Sequence, residues 1–186
     1  MHSRPKHDPP AQNMRAPLTR LFCFSYDSEE VFADDSSILH CNVTRNPCGF
    51  WTVLQLRQTW QFDVSHKFLI FDRDSKFSSD VVSTIKEHGI MPVRTSFRSP
   101  WQNGVAERWV GNIRRDLLDH VIVLNEQHLR RLVREYVRYY NEDRTHLSLR
   151  KQTPSGRTAS AKSSDAPKVV AFPRLGGLHH RYEVAA

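Results

Sequence analysis

Apolar residues first gather in two short runs, "LTRLFCFSY" at 18–26 and "ILHCNVT" at 38–44. Runs of this length bounded by polar stretches predict strands, and the acidic connection "DSEEVFADDSS" predicts an antiparallel pair with a long loop. "GFWTVLQLRQTWQF" follows Asn46-Pro47, and Trp51, Leu54, Gln55, Gln58 and Phe62 give it a mixed helical pattern. The period changes again in the middle of the chain. "HKFLIFD" is a short continuous apolar strand, and "SSDVVSTIKEHG" places Val81, Val82 and Ile85 on one helical face, with a serine at the cap position and Gly89 as a stop. "IMPVRTSF" is a strand once more, so the three pieces form a βαβ unit, which requires parallel strands and a right-handed crossover.

Two helices follow. From Val105 to Val121 the residues Ala106, Trp109, Val110, Ile113, Leu117 and Val121 recur at helical spacing and predict a stripe that packs on the sheet. Asn125 caps the next helix, "EQHLRRLVREYVRYYN". Its Leu129, Leu132, Val133, Tyr136 and Tyr140 form the apolar face, and Arg130, Arg134 and Arg138 follow at i, i+4, i+8 on another. Residues 1–17 show neither period and read as a disordered arm. Residues 18–150 carry the core domain, and 151–186 read as a Ser, Ala, Pro and Lys linker with a last short apolar piece, "KVVAFPRLGGLHHRYEVAA".

Composition adds location to this picture. A chain of 186 residues with 39% hydrophobic content can fill one core of ordinary size. Residues 94–157 hold 13 basic and 7 acidic side chains, whereas residues 1–93 hold 10 and 11, so the positive excess sits with the last two helices. That distribution makes an acidic partner such as DNA plausible. Cys23, Cys41 and Cys48 are odd in number and lack metal-ligand spacing, which predicts free thiols and a reducing compartment. No apolar run reaches the length of a membrane span and the N-terminus has no signal-like segment, so the expected location is cytoplasmic, away from membranes.

The candidate chemistry lies in two carboxylates. Asp72 stands just beyond the strand "KFLIF", where open α/β sheets place functional groups. Glu107 falls in the first turn of the following helix, about 60° from Val110 on the helical wheel, at the margin of the apolar stripe, so it can face inward. Each has a plain reading too: Asp72, or its competitor Asp74, as a turn residue, and Glu107 as a first-turn acid favoured by the helix dipole. The arginine stripe can equally be a solvated face. Two such carboxylates, with a third, can hold a pair of magnesium ions, hard cations that prefer oxygen ligands, and such a pair suits phosphodiester chemistry without a protein nucleophile.

"FDRDSKF", "RSPWQNGVAERWVGNIRRDLLDH" and "LNEQHLRRLVREYVRYYNEDRTHLSL", in that order, resemble the integrase core of insertion-sequence transposases and retroviral integrases, in the RNase H-like superfamily. The resemblance spans roughly residues 38–150. It implies an RNase H-like α/β fold, a mixed sheet flanked by helices. It also implies Asp72 and Glu107 as catalytic metal ligands for two magnesium or manganese ions, and Arg108, Arg114 and Arg115 near DNA. Arg130, Arg134 and Arg138 are expected to contact DNA as well. The implied activity is DNA strand transfer on transposon ends and target, by a homo-oligomer on DNA. The family's first aspartate has no counterpart, because the expected position reads "DPPAQNMRAP" and prolines cannot sit in a central strand. Asp8 and Asp27 are the nearest acids. The expectation is therefore a core without an intact first strand, an impaired transposase, with a non-enzymatic DNA-binding or subunit-interacting remnant as the alternative.

Overall fold

The structure, a computed structural model, describes residues 20–25, 37–60, 67–157 and 168–185. The N-terminal arm, Asp8, Asp27 and most of the linker lie outside the described residues. Strands β1 (Arg20–Ser25) and β2 (Ile38–Thr44) pair antiparallel, with Cys23 opposite Cys41. Helix α1 (Gly49–Thr59) leads to β3 (Phe68–Phe71), α2 (Ser79–Glu87) and β4 (Met91–Arg94). β3 and β4 run parallel in the register Phe68 to Met91 and Ile70 to Val93, the βαβ unit that the sequence predicts.

Local chemistry explains why that unit closes. Ser78 enters α2 with extended backbone, and Asp80 sits in its first turn, where the helix dipole favours an acid. Gly89 ends the helix at φ +75°, a conformation that carries a steric cost for any residue with a Cβ. The Ile90 N–H then donates back to the Ile85 carbonyl at 3.2 Å, and the chain turns directly into β4. Gly49 permits close approach of α1, because a Cβ there would lie 2.5 Å from Ser78 Oγ. One core results: Leu69 and Phe71 of β3 meet Val81 and Ile85 of α2, Val53 and Leu56 of α1 and Trp60 at its C-cap. The buried face of α1 is thus Thr52, Val53, Gln55 and Leu56, and Leu54 is exposed, contrary to the pattern expected for this helix.

A second core is built on β2. Helices α3 (Gly104–Asp116) and α4 (Glu126–Glu142) bring Trp109, Ile113, Leu117, Leu132, Val133, Tyr136 and Tyr140 against Ile38 and Val43. Each such side chain contributes about 1.5–3 kcal/mol on burial. The predicted cap of α4 is present: Asn125 Oδ1 accepts from the His128 N–H at 2.8 Å. α3 is shorter than its apolar period. It stops at Asp116, Leu117 leaves helical geometry at φ −135°, and a single 3-10 turn, Leu118–His120, carries the chain onward. Leu117 and Val121 still pack on the core from outside the helix.

Three further features depart from expectation. The mixed sheet is divided among the described residues into the β1–β2 pair, the β3–β4 pair and a C-terminal pair, β5 (Lys168–Arg174) with β6 (His179–Ala185). The tail thus forms a hairpin. Cys41 is disulfide-bonded while Cys48 is free and exposed, so the expectation of three free thiols does not hold, and the compartment argument built on it loses that support. No described helix is long and apolar enough to cross a membrane.

Candidate active site and nucleic-acid interface

Asp72 lies one residue past β3 and is exposed. Its Oδ1 accepts the Asp74 N–H at 3.0 Å, a short turn that fixes the carboxylate at the strand end and leaves Oδ2 to solvent. Asp74 is more heavily engaged: Oδ1 accepts from the Lys76 N–H at 3.1 Å, and Oδ2 pairs with Lys76 Nζ at 3.3 Å. Of the two aspartates, Asp72 is the one with an oxygen available.

Glu107 occupies the first turn of α3 and is exposed. It faces outward, although its place on the helical wheel allows an inward orientation. The buried face of α3 is Trp109, Asn112 and Ile113, and Val110 is 44% exposed, so the apolar stripe turns away from Glu107. Asp72 and Glu107 each present an exposed carboxylate, a hard oxygen ligand of the kind magnesium prefers. A pair of ions needs more ligands. Among the described residues no group of three His, Cys, Asp or Glu side chains could hold a metal.

The candidate DNA residues fall into two sets. Arg114 faces Asp119 at 3.6 Å, and Arg115 donates to Asn112 Oδ1 at 2.7 Å, lying over Gly111, where a Cβ would sit 3.1 Å from Arg115 Nη1. Arg108 is exposed on the same helix. On α4, Arg130 donates to Glu126 Oε1 at 2.7 Å and Arg138 to Glu142 Oε2 at 3.0 Å, both i, i+4 pairs. Exposed pairs of this kind contribute little, so a phosphate can replace the carboxylate at small cost. Arg134 has no ion-pair partner among the described residues, and with Arg130 it borders a groove of about 360 Å³ between β2 and α4.

Acids at helix C-termini form the polar joints that sequence reading missed. Asp116, closing α3, accepts the Tyr136 hydroxyl at 2.8 Å and pairs with Arg144 at 3.3 Å, and its carbonyl bonds His179 Nε2 at 2.8 Å. His179 also stacks on Tyr139 at 4.7 Å. Burial, then the Asp116 hydrogen bond, push the Tyr136 hydroxyl pKa well above its ordinary range. Asp143, just past α4, is the second joint: Arg174 Nε lies 2.6 Å from it, Arg181 Nη1 3.5 Å and Arg157 Nη1 3.6 Å. The signal was available in the sequence, because an acid at the negative end of a helix dipole calls for cationic partners.

The family model described as an integrase core domain matches residues 88–154, a span that holds Glu107 and both helices α3 and α4. The crystal structure of the catalytic core domain of BIV integrase matches with a TM-score of 0.51 at 16% identity, over 73% of this chain and 88% of that one. The matched segment resembles an integrase core domain, and the solved structure shares its fold. A chain of the simian T-cell lymphotropic virus intasome matches this chain with a TM-score of 0.53 at 14% identity, covering 98% of this chain and 73% of that one. At these identities the likeness is one of fold. No curated protein matches the sequence.

Proposed function

We propose that this chain is an integrase core that acts in DNA integration or transposition, and that Asp72 and Glu107 are its metal-binding carboxylates. The observation that carries the reading is the integrase-core match across α3 and α4, which contains Glu107 in the first turn of α3. The position of Asp72 beyond a parallel strand, with one oxygen unoccupied by the turn, supports the pairing. Integrase cores in general use divalent metal ions. A bound magnesium or manganese ion supplies Lewis-acid activation of oxygen at phosphorus. In strand transfer a DNA 3′-hydroxyl oxygen forms a bond to the target phosphorus, the bond from phosphorus to the target's own 3′-oxygen breaks, and the hydroxyl proton passes to solvent. The chain's part is to hold the DNA: the arginines of α3 and α4 offer donors for phosphate oxygens.

The second reading, a DNA-binding or subunit-interacting remnant, is favoured by one observation: the described residues supply no third ligand. Misplacing catalytic groups by about 1 Å costs on the order of 100-fold in rate, and a lost ligand costs more. The expected result is weak or absent strand transfer by this chain on supercoiled DNA with manganese, with Glu107→Gln abolishing whatever remains. Manganese should still raise the melting temperature modestly, and less in Asp72→Asn or Glu107→Gln, since a ligand that binds only the folded state stabilises it. Loss of that effect in Asp74→Asn but not in Asp72→Asn would transfer the role to Asp74. Robust transfer by the 186-residue chain would overturn the impaired reading.

A further inference from the structure

Three guanidiniums from three separate stretches of chain converge on a single carboxylate. Arg157 follows the turn after α4, where its N–H donates to Thr153 Oγ1 at 3.1 Å. Arg174 ends β5, and Arg181 lies on β6 opposite Phe172. All three reach Asp143, whose side chain is 2% exposed. A buried carboxylate at the negative end of a helix is doubly unfavourable, and one well-placed arginine would offset much of that. Three exceed the need.

Donor count shows the excess. Three guanidiniums present fifteen N–H groups, about five each. The protein acceptors they meet are the two Asp143 oxygens, the Glu183 carboxylate beside Arg181 and the Pro173 carbonyl 3.2 Å from Arg174. Arg157 Nη1 and Arg181 Nε are buried and make no hydrogen bond to protein. The three side chains nevertheless stay 30%, 34% and 31% exposed, so each is open in part to solvent. Charge is in surplus as well: three cations face Asp143 and Glu183, while the neighbouring pairs, Arg138 with Glu142 and Arg144 with Asp116, are balanced. Mutual repulsion of the guanidiniums would fall if another anion joined them.

We propose that Arg157, Arg174 and Arg181, spread around Asp143, form a phosphate site for a nucleic-acid backbone running on from the arginine face of α4. Planar guanidinium forks suit phosphate oxygens, and the three chain segments set them in a fan around one fixed point. Asp143 is then a positioning residue that acts through the arginines. Arg130, Arg134 and Arg138 lie on the helix that Asp143 caps. The inference rests on the DNA reading above and assigns the C-terminal hairpin a share in it.

The test uses the full chain and a labelled duplex of arbitrary sequence, with affinity measured across a salt series. Each phosphate contact contributes a slope of about 0.9 in the log affinity against log salt. Arg157→Gln/Arg181→Gln should lower the slope by roughly two and weaken binding on the order of 50-fold near 0.1 M salt. The Lys versions should restore most of the slope, because charge and not packing is the cause. An unchanged slope in the Gln pair with a native circular dichroism spectrum overturns the proposal. So does equal loss in the Lys and Gln versions. Inorganic phosphate is the control ligand: if it raises the melting temperature through these arginines while the duplex slope ignores them, the site takes free phosphate and the backbone assignment fails. A slope that responds to Arg130, Arg134 and Arg138 alone removes this site and keeps the α4 face, whereas no salt-sensitive binding at all removes both.

Discussion

Tyr136 shows how one side chain ties two helices together. Its ring is fully buried against Trp109, and its hydroxyl donates to Asp116 on the neighbouring helix. Ionising it would strand a buried phenolate beside a carboxylate, so burial first and then that hydrogen bond raise its pKa from the ordinary 10.0. A raised folded pKa favours the protonated form, so the contribution is complete below pH 10 and is lost as pH climbs beyond it, where only the unfolded chain ionises. Tyr136→Phe should cost about 2 kcal/mol at neutral pH, the worth of a hydrogen bond to a charged acceptor. It should also flatten the stability loss above pH 10. Chemical denaturation at a series of pH values checks both, and an unaltered alkaline slope in the variant would assign that loss elsewhere.

At the scale of elements, legibility followed the length and regularity of the pattern. α4 was readable in detail because five apolar positions, a capping Asn125 and a charged opposite face agree over nearly five turns. The βαβ unit was readable because Gly89 and two short apolar runs punctuate α2. α1 misled, since Thr52 and Gln55 are buried polar residues: Thr52 Oγ1 donates to the Cys48 carbonyl, and Gln55 Oε1 meets His40 and Asn42 of β2. Periodicity counts carbon and does not see such bonds. The tail's pattern predicts only a linker with a short apolar piece, because its anchors are arginines and a histidine that only tertiary structure pairs with Asp143 and Asp116. The carboxylates of the candidate site were legible by position and order, whereas the outward orientation of Glu107 depended on which residues α3 actually buries. A long-range joint between elements offers a clean measurement. Asn141 of α4 accepts from the Ile38 N–H and donates to the Ile38 carbonyl, both at 2.9 Å. Asn141→Leu leaves two partly buried backbone groups unpaired and should cost about 2–4 kcal/mol. Urea denaturation, with faster amide exchange at Ile38, would register it, and an unchanged exchange rate would show that β2 holds its edge without α4.

The whole molecule has one face that does not suit its strands. A parallel pair is ordinarily covered on both sides, and "KFLIF" has the continuous apolar composition that such burial demands. Here α1 and α2 cover one side, taking Leu69 and Phe71, while Phe68, Ile70, Met91 and Val93 are 57%, 40%, 58% and 36% exposed on the other. In register they form two adjacent cross-strand pairs, Phe68 with Met91 and Ile70 with Val93. Among the described residues β3 pairs with β4 alone, and none of them adds a strand to its outer edge beside this patch. An apolar surface next to a strand edge is a template for association, and the chain is expected to aggregate as concentration rises. Ile70→Thr with Val93→Thr keeps β-branched side chains, and hence strand propensity, while removing apolar surface that the fold leaves exposed. The pair should raise the soluble fraction several-fold and change the unfolding midpoint little, since about 0.5 kcal/mol is typical of surface substitutions. Light scattering against concentration, beside a denaturation curve, separates the two effects. A double variant that unfolds several kcal/mol more easily would show that this face is buried in the protein in solution, and that the two cores are joined by a contact across it.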